Sequence, residues 1–131
     1  MATALHLTQR LDAHQRICGK LCKALAEIGP IKRGSIYKTY TGCGSPGCQC
    51  HRDPKARHGP YWLWTCKVGR KSLCRQLDGT VLKLYRQYTS NYKKLKQILK
   101  KIETISDQIL KCQMELAELE KHGRGRRTKG K

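Results

Sequence analysis

The sequence predicts an α+β protein in which two long amphipathic helices flank a small three-stranded β module. Two observations carry this prediction: an apolar stripe with helical spacing near each end of the chain, and a central segment rich in glycine, cysteine and strand-favouring residues. The chain of 131 residues suffices for one compact domain or two small modules. That length excludes a large multistep enzyme.

The N-terminal helix is predicted over residues 1–29. Apolar or neutral side chains recur there at alternating intervals of four and three residues, which marks one face of a helix. Gly29-Pro30 supplies the stop signal. The stripe consists of Leu7, Leu11, His14, Cys18, Leu21, Leu25 and Ile28.

The C-terminal helix is predicted over residues 80–121, with Thr80 as its N-cap. Its central stripe has a sevenfold spacing, and a flanking apolar column drifts around the axis as it does in a nearly straight helix. We expect the helices to form an antiparallel pair, with surplus length left for a protein partner or a second copy. The stripe consists of Tyr88, Leu95, Ile102, Ile109 and Leu116, and the column of Tyr85, Tyr92, Leu99, Ile98, Ile105, Cys112 and Leu119.

Residues 30–79 between the helices are predicted to be a β module. Runs at 36–41, 61–66 and 72–77 are rich in residues that favour strands. Gly69-Arg70 fits a type II′ turn that joins the last two strands as a hairpin. The module has few large aliphatic side chains, so it needs another source of stability.

A cluster of cysteine and histidine residues supplies that source. Cys43, Cys48, Cys50 and His58 have the spacing C-x4-C-x-C-x7-H, which offers the four soft or borderline ligands of a closed tetrahedral zinc site. Glycine and proline between the first two thiols allow the sharp turn that such a site requires. The sequence therefore predicts a zinc-ribbon-like module with one structural zinc ion.

The fourth ligand is open at this stage. His51 could replace His58 as the nitrogen ligand, and Cys66 or Cys74 could be a fourth thiol, although the hairpin register points these two thiols to opposite faces. The remaining cysteines lie near helix stripes and are predicted to be small core residues. They are Cys18, Cys22 and Cys112.

The cysteine motif resembles that of a small uncharacterised family of bacterial and archaeal proteins that are often encoded beside transposon or integrase genes. The resemblance extends over residues 31–100 and implies a domain without a known activity. Cys66, Cys74 and the basic tail lie outside its pattern. The residues that carry it are Arg33-Gly34-Ser35, Cys43-Gly44-x-Pro46-Gly47-Cys48-x-Cys50 and His58-Gly59-Pro60-Tyr61-Trp62.

The charge balance points to a polyanionic partner. The chain has 28 Lys and Arg against 9 Asp and Glu, a formal net charge of +19. Nucleic acid is the commonest partner of such a chain, and the composition does not distinguish RNA from DNA. The segment 122–131 has no apolar residue and is predicted to be a disordered basic arm.

The candidate nucleic-acid-binding residues are cations and one aromatic ring, because cations contact phosphates and exposed rings stack on unpaired bases. They are Arg33, Lys38, Arg52, Lys55, Arg57, Tyr61, Lys67, Arg70, Lys71, Arg75, Lys93, Lys94, Arg124, Arg126 and Arg127.

These features predict a nucleic-acid-binding accessory protein of a mobile-element-associated ribonucleoprotein or nucleoprotein complex. The alternative is a protein–protein adaptor whose long helix binds its partner. Catalysis is not expected, because Asp53 and Asp78 are the only carboxylates of the β module and no catalytic set can be named. Without a recognisable signal peptide or membrane span, the protein is expected in the cytoplasm, associated with the nucleoid or a ribonucleoprotein.

Overall fold

A computed structural model describes the backbone of residues 3–129 and the side chains of residues 3–123. This part of the chain forms two helices and one three-stranded antiparallel sheet, which confirms the α+β class. Neither helix there combines the length and the hydropathy that a bilayer span requires. The elements are α1 (Ala4–Ala26), β1 (Ser35–Thr41), β2 (His58–Val68), β3 (Lys71–Leu77) and α2 (Gly79–Lys129).

The chain divides into two compact units. We call residues 1–28 and 94–131 the helical unit, and residues 29–93 the sheet unit. The long helix α2 contributes to both, because its first turns belong to the sheet unit and the remainder to the helical unit.

In the helical unit, α1 buries the stripe that its sequence predicts. Each stripe residue is buried or half-buried, and Leu7 is only 1% exposed. Thr3 caps the helix, since its Oγ1 accepts a hydrogen bond from the His6 N–H at 3.2 Å. Cys112 on α2 is buried as predicted. Cys22 is exposed, because it follows Leu21 directly and so lies off the stripe.

The bounds of α2 differ from the predicted 80–121. The helix begins at Gly79, and the Leu82 N–H donates to the Asp78 carbonyl at 3.1 Å, so Thr80 lies inside the first turn and is not the N-cap. At the other end the helix continues to Lys129, because no proline interrupts the segment and Lys and Arg favour helix. That the segment 122–131 is disordered in the absence of nucleic acid stays a prediction. Its residues 130 and 131 lie outside the described part of the chain.

The sheet has the order β1-β2-β3, so β2 is the central strand. The predicted hairpin is confirmed: Val68 pairs with Lys71 across a two-residue turn in which Gly69 has φ +64°. Glycine is the residue that adopts such a φ without strain. Strand β2 is longer than the predicted 61–66, because it begins at His58 and ends at Val68. At its start, His58 pairs with Thr41, the last residue of β1.

Trp64 forms the centre of the sheet unit. Its side chain is 6% exposed, and its Nε1–H donates to the Arg33 carbonyl at 2.8 Å. The ring packs edge-on against Tyr85 of α2 with 5.6 Å between centroids, and the Lys32 Nζ lies 4.8 Å from its centroid. These contacts attach the central strand to the first turns of α2 and make this tryptophan a core residue of the sheet unit.

A substitution at Gly34 tests the packing around Trp64. It has φ +120°, and a Cβ there would meet the indole of Trp64 and lie 2.7 Å from the Thr65 carbonyl oxygen. We expect Gly34→Ala to lower the free energy of unfolding by about 2 kcal/mol or more, through backbone strain and overpacking. Urea unfolding followed by tryptophan fluorescence measures this, since both tryptophans lie in the sheet unit.

Gly19→Ala is the matched control. Gly19 lies inside α1, and a Cβ there would meet nothing within 4 Å. We expect this change to leave the unfolding of the sheet unit unaltered and to stabilise α1 by about 1 kcal/mol. Wild-type unfolding of Gly34→Ala would contradict the described packing around Trp64.

Candidate metal centre

The segment between β1 and β2, residues 42–57, has almost no core of its own. Its one buried side chain among the described residues is Cys50, which is 4% exposed. Local turns supply its backbone hydrogen bonds: the Arg52 N–H donates to the Gln49 carbonyl at 3.0 Å, and Asp53 Oδ1 accepts from the Lys55 N–H at 3.0 Å. Such turns define the path of the backbone in this segment, but they add little stability against the entropy cost of ordering it.

Four ligand atoms converge in this segment. The Sγ atoms of Cys43, Cys48 and Cys50 and a ring nitrogen of His58 all lie within 4.8 Å of one another. The Cys43 and Cys50 Sγ atoms are 3.6 Å apart, and the Cys48 Sγ lies 3.3 Å from His58 Nε2. A tetrahedral ion with bonds of about 2.3 Å to sulfur and about 2.0 Å to nitrogen would separate its ligand atoms by about 3.5–3.8 Å. The group therefore fits a metal ion.

The ends of two strands bring the ligands together. Cys43 follows β1, Cys48 and Cys50 flank the start of a short 3-10 turn, and His58 is the first residue of β2. The Cys43 N–H also donates to the Cys50 Sγ at 3.3 Å, an arrangement that stabilises a thiolate. A bound ion would thus join β1 to β2 across the whole intervening segment.

Two of the three thiols are set up for deprotonation. A backbone hydrogen bond at Ser45 lowers the pKa of the Cys43 thiol to about 6. A backbone hydrogen bond at Cys50, followed by the contact with His58, lowers the pKa of Cys48. The pKa of the third, Cys50, is raised: the hydrogen bond from the Cys43 N–H lowers it, but burial and the two neighbouring thiols outweigh that effect. The hydrogen bond to Cys48 raises the pKa of His58. Because thiolate is the form that binds metal, the lowered thiol pKa values favour occupancy at neutral pH.

The alternative ligands lie outside the group. The His51 ring stands beside Gly42, and Cys66 and Cys74 take register positions opposite Leu73 and Thr65 that place them on opposite faces of the hairpin. Within the described side chains, the candidate metal-binding group thus consists of the four residues that the spacing predicts. His58 is the histidine of this group, and it lies there as the first residue of β2.

The predicted nucleic-acid-binding residues do not form one surface. Register places Lys38 and Arg75 on the same sheet face as Trp64, whereas Tyr61 and Lys67 lie on the other face. Lys94 belongs to the helical unit, and the remaining described candidates to the sheet unit. The side chains of Arg124, Arg126 and Arg127 lie outside the described residues. Of the sheet-unit candidates, the metal-binding segment contributes Arg52, Lys55 and Arg57.

Arg86 was not among the predicted nucleic-acid-binding residues, although it contacts a tryptophan of the sheet. The Arg86 guanidinium carbon lies 4.3 Å from the centroid of the Trp62 ring, the geometry of a cation–π contact. The sequence contains one indication of its role: Arg86, Ser90 and Lys93 are spaced so that three polar side chains lie on one face of the helix.

Metal analysis of Cys48→Ser tests the ligand set. We expect the wild-type protein, purified without chelator, to contain one metal ion per chain, and this variant to lose most of it because three ligands remain. The matched control is Cys66→Ser, which removes a half-buried thiol outside the group and should retain the ion. Equal metal content in the two variants would contradict the assignment.

The comparisons with known proteins reveal a family but no activity. A family described as a domain of unknown function, DUF6788, matches residues 8–75. The match begins in α1 and ends in β3, so it includes the four candidate ligands and starts before the 31–100 interval of the sequence resemblance. Searches of curated proteins and of solved structures found no match. With more than half of its length matched, the chain belongs to the DUF6788 family of domains of unknown function.

Proposed function

We propose that the protein binds nucleic acid as an accessory of a nucleoprotein complex, with a structural zinc ion that shapes its cationic segment. One observation carries the proposal: the sheet unit holds thirteen Lys and Arg residues against two acidic residues, Asp53 and Asp78. The Asp53 carboxylate already accepts a hydrogen bond from the Lys55 N–H within a local turn. A cationic surface so poorly neutralised within its own unit favours a polyanion.

Zinc is the metal we propose for the centre. Three thiolates and one imidazole suit zinc, and four protein ligands leave no position for water or substrate, so the role of the ion is structural. It would hold residues 42–57, whose exposed Arg52, Lys55 and Arg57 then contact phosphates from a fixed scaffold.

For the helical unit we propose the antiparallel pairing of α1 with α2. Support comes from a groove of about 530 Å³ that both helices line, with Ile17 and Leu21 on α1 and Ile105 on α2. An association with mobile elements remains part of the proposal through the sequence resemblance alone, and a location in the cytoplasm likewise stays a proposal.

A protein adaptor is the second candidate. Leu110 and Met114 on α2 are 54% and 60% exposed, and they line a shallow groove with acidic neighbours that include Asp107 and Glu115. An apolar strip of this kind fits a partner helix. It does not account for the cations of the sheet unit, so the nucleic-acid proposal is favoured.

Binding measured over a salt series tests the proposal. Fluorescence anisotropy with structured RNA, single-stranded DNA and duplex DNA should show affinity that falls steeply as salt rises. A triple variant of the metal-binding segment should flatten the plot of log K against log salt by about one for each phosphate that the protein no longer neutralises. Its substitutions are Arg52→Gln, Lys55→Gln and Arg57→Gln.

The control variant removes the same charge from exposed positions of α1. We expect it to retain the wild-type salt dependence, since α1 contains none of the candidate nucleic-acid-binding residues. Its substitutions are Arg10→Gln, Arg16→Gln and Lys20→Gln. Absence of binding to all three nucleic acids would favour the adaptor. An equal decrease in affinity in the two triple variants would contradict the metal-binding segment as the phosphate contact.

A further inference from the structure

A polar cleft of about 320 Å³ lies within the sheet unit, between the sheet and the first turns of α2. The strands contribute Ser35 and Trp62, and the helix contributes Arg86, Ser90 and Lys93. Among the described side chains, no carboxylate lines this cleft. Two cations and three hydroxyl groups, the third from Thr89, therefore surround a space whose described wall carries no opposite charge.

The helix face of the cleft follows directly from sequence spacing. Arg86, Ser90 and Lys93 recur at intervals of four and three, so they lie on one side of α2 within two turns. Thr89 also borders the cleft, but its hydroxyl already donates to the carbonyls of Tyr85 and Arg86. The hydroxyls of Ser90 and Ser35 are exposed and remain available as donors.

Trp62 orients the arginine. The Arg86 guanidinium carbon lies 4.3 Å from the ring centroid, and among the described side chains this cation has no carboxylate partner. A guanidinium held over a ring keeps the N–H groups of its edge free for a forked contact with an oxyanion. Because the cation covers one side of the ring, Trp62 serves to position Arg86. Lys38 pairs with Trp62 across the strands and adds a further positive charge nearby.

We propose that this cleft binds a phosphate group of the nucleic acid backbone. Arg86 supplies the forked contact, Lys93 a point charge, and the hydroxyls of Ser35 and Ser90 the remaining donors. This inference rests on the proposed nucleic-acid function and adds a defined site of phosphate contact. Of the residues that form the site, only Lys93 was among the candidates predicted from the sequence. Because a phosphate contact positions a strand without reading bases, the cleft contributes to affinity and not to sequence preference.

Substitution of Arg86 tests the inference. In the anisotropy salt series, Arg86→Gln should weaken binding about tenfold on every sequence and flatten the salt dependence by about one. Lys83→Gln is the matched control, since it removes one exposed cation from the same helix and the same unit outside the cleft. Arg86→Lys should restore the salt dependence but only part of the affinity, because it retains the charge and removes the fork.

Metal content and urea unfolding of each variant should match the wild type, which shows that weaker binding does not arise from unfolding. Wild-type binding by Arg86→Gln, or a decrease no larger than that of Lys83→Gln, would overturn the cleft as a phosphate site and leave the nucleic-acid function standing. A wild-type protein that binds no nucleic acid would overturn both proposals.

Discussion

The shape of the segment between β1 and β2 depends, in our proposal, on one cross-link: a metal ion held by the four-residue group. Residues 42–57 bury a single described side chain, and that side chain is Cys50, itself one of the four candidate ligands. Hydrophobic burial therefore cannot hold this segment, whereas a metal ion can join its two ends through Cys43 and His58.

From His58, β2 leads to the second fixed point of the sheet unit. Trp64 lies six residues after His58 in the same strand and packs against Tyr85 of α2. A metal ion at the four-residue group and the indole of Trp64 would thus hold opposite parts of one strand. Between them Trp62 faces the cleft in which Arg86 is oriented. A strand held at both the four-residue group and Trp64 would present cations at defined positions. This is the physical basis of the proposed function.

Much of this organisation is visible in the sequence, and the rest depends on contacts between distant residues. Periodicity predicts the buried stripe of α1 because burial and helical period act on the same residues. Spacing predicts the ligand set but cannot choose between His51 and His58, since the choice depends on where β2 begins. The contact between Arg86 and Trp62 joins residues of different elements, so no local pattern indicates it. The end predicted for α2 at 121 was wrong because a basic, glycine-containing composition does not by itself stop a helix.

X-ray absorption at the metal edge of the protein as purified tests the cross-link most directly. We expect zinc with three sulfur ligands at about 2.3 Å and one nitrogen ligand at about 2.0–2.1 Å. A shell with fewer sulfur ligands, completed by oxygen, would contradict the closed structural site. Protein that folds its sheet unit fully without any bound metal would contradict the dependence of this segment on the cross-link.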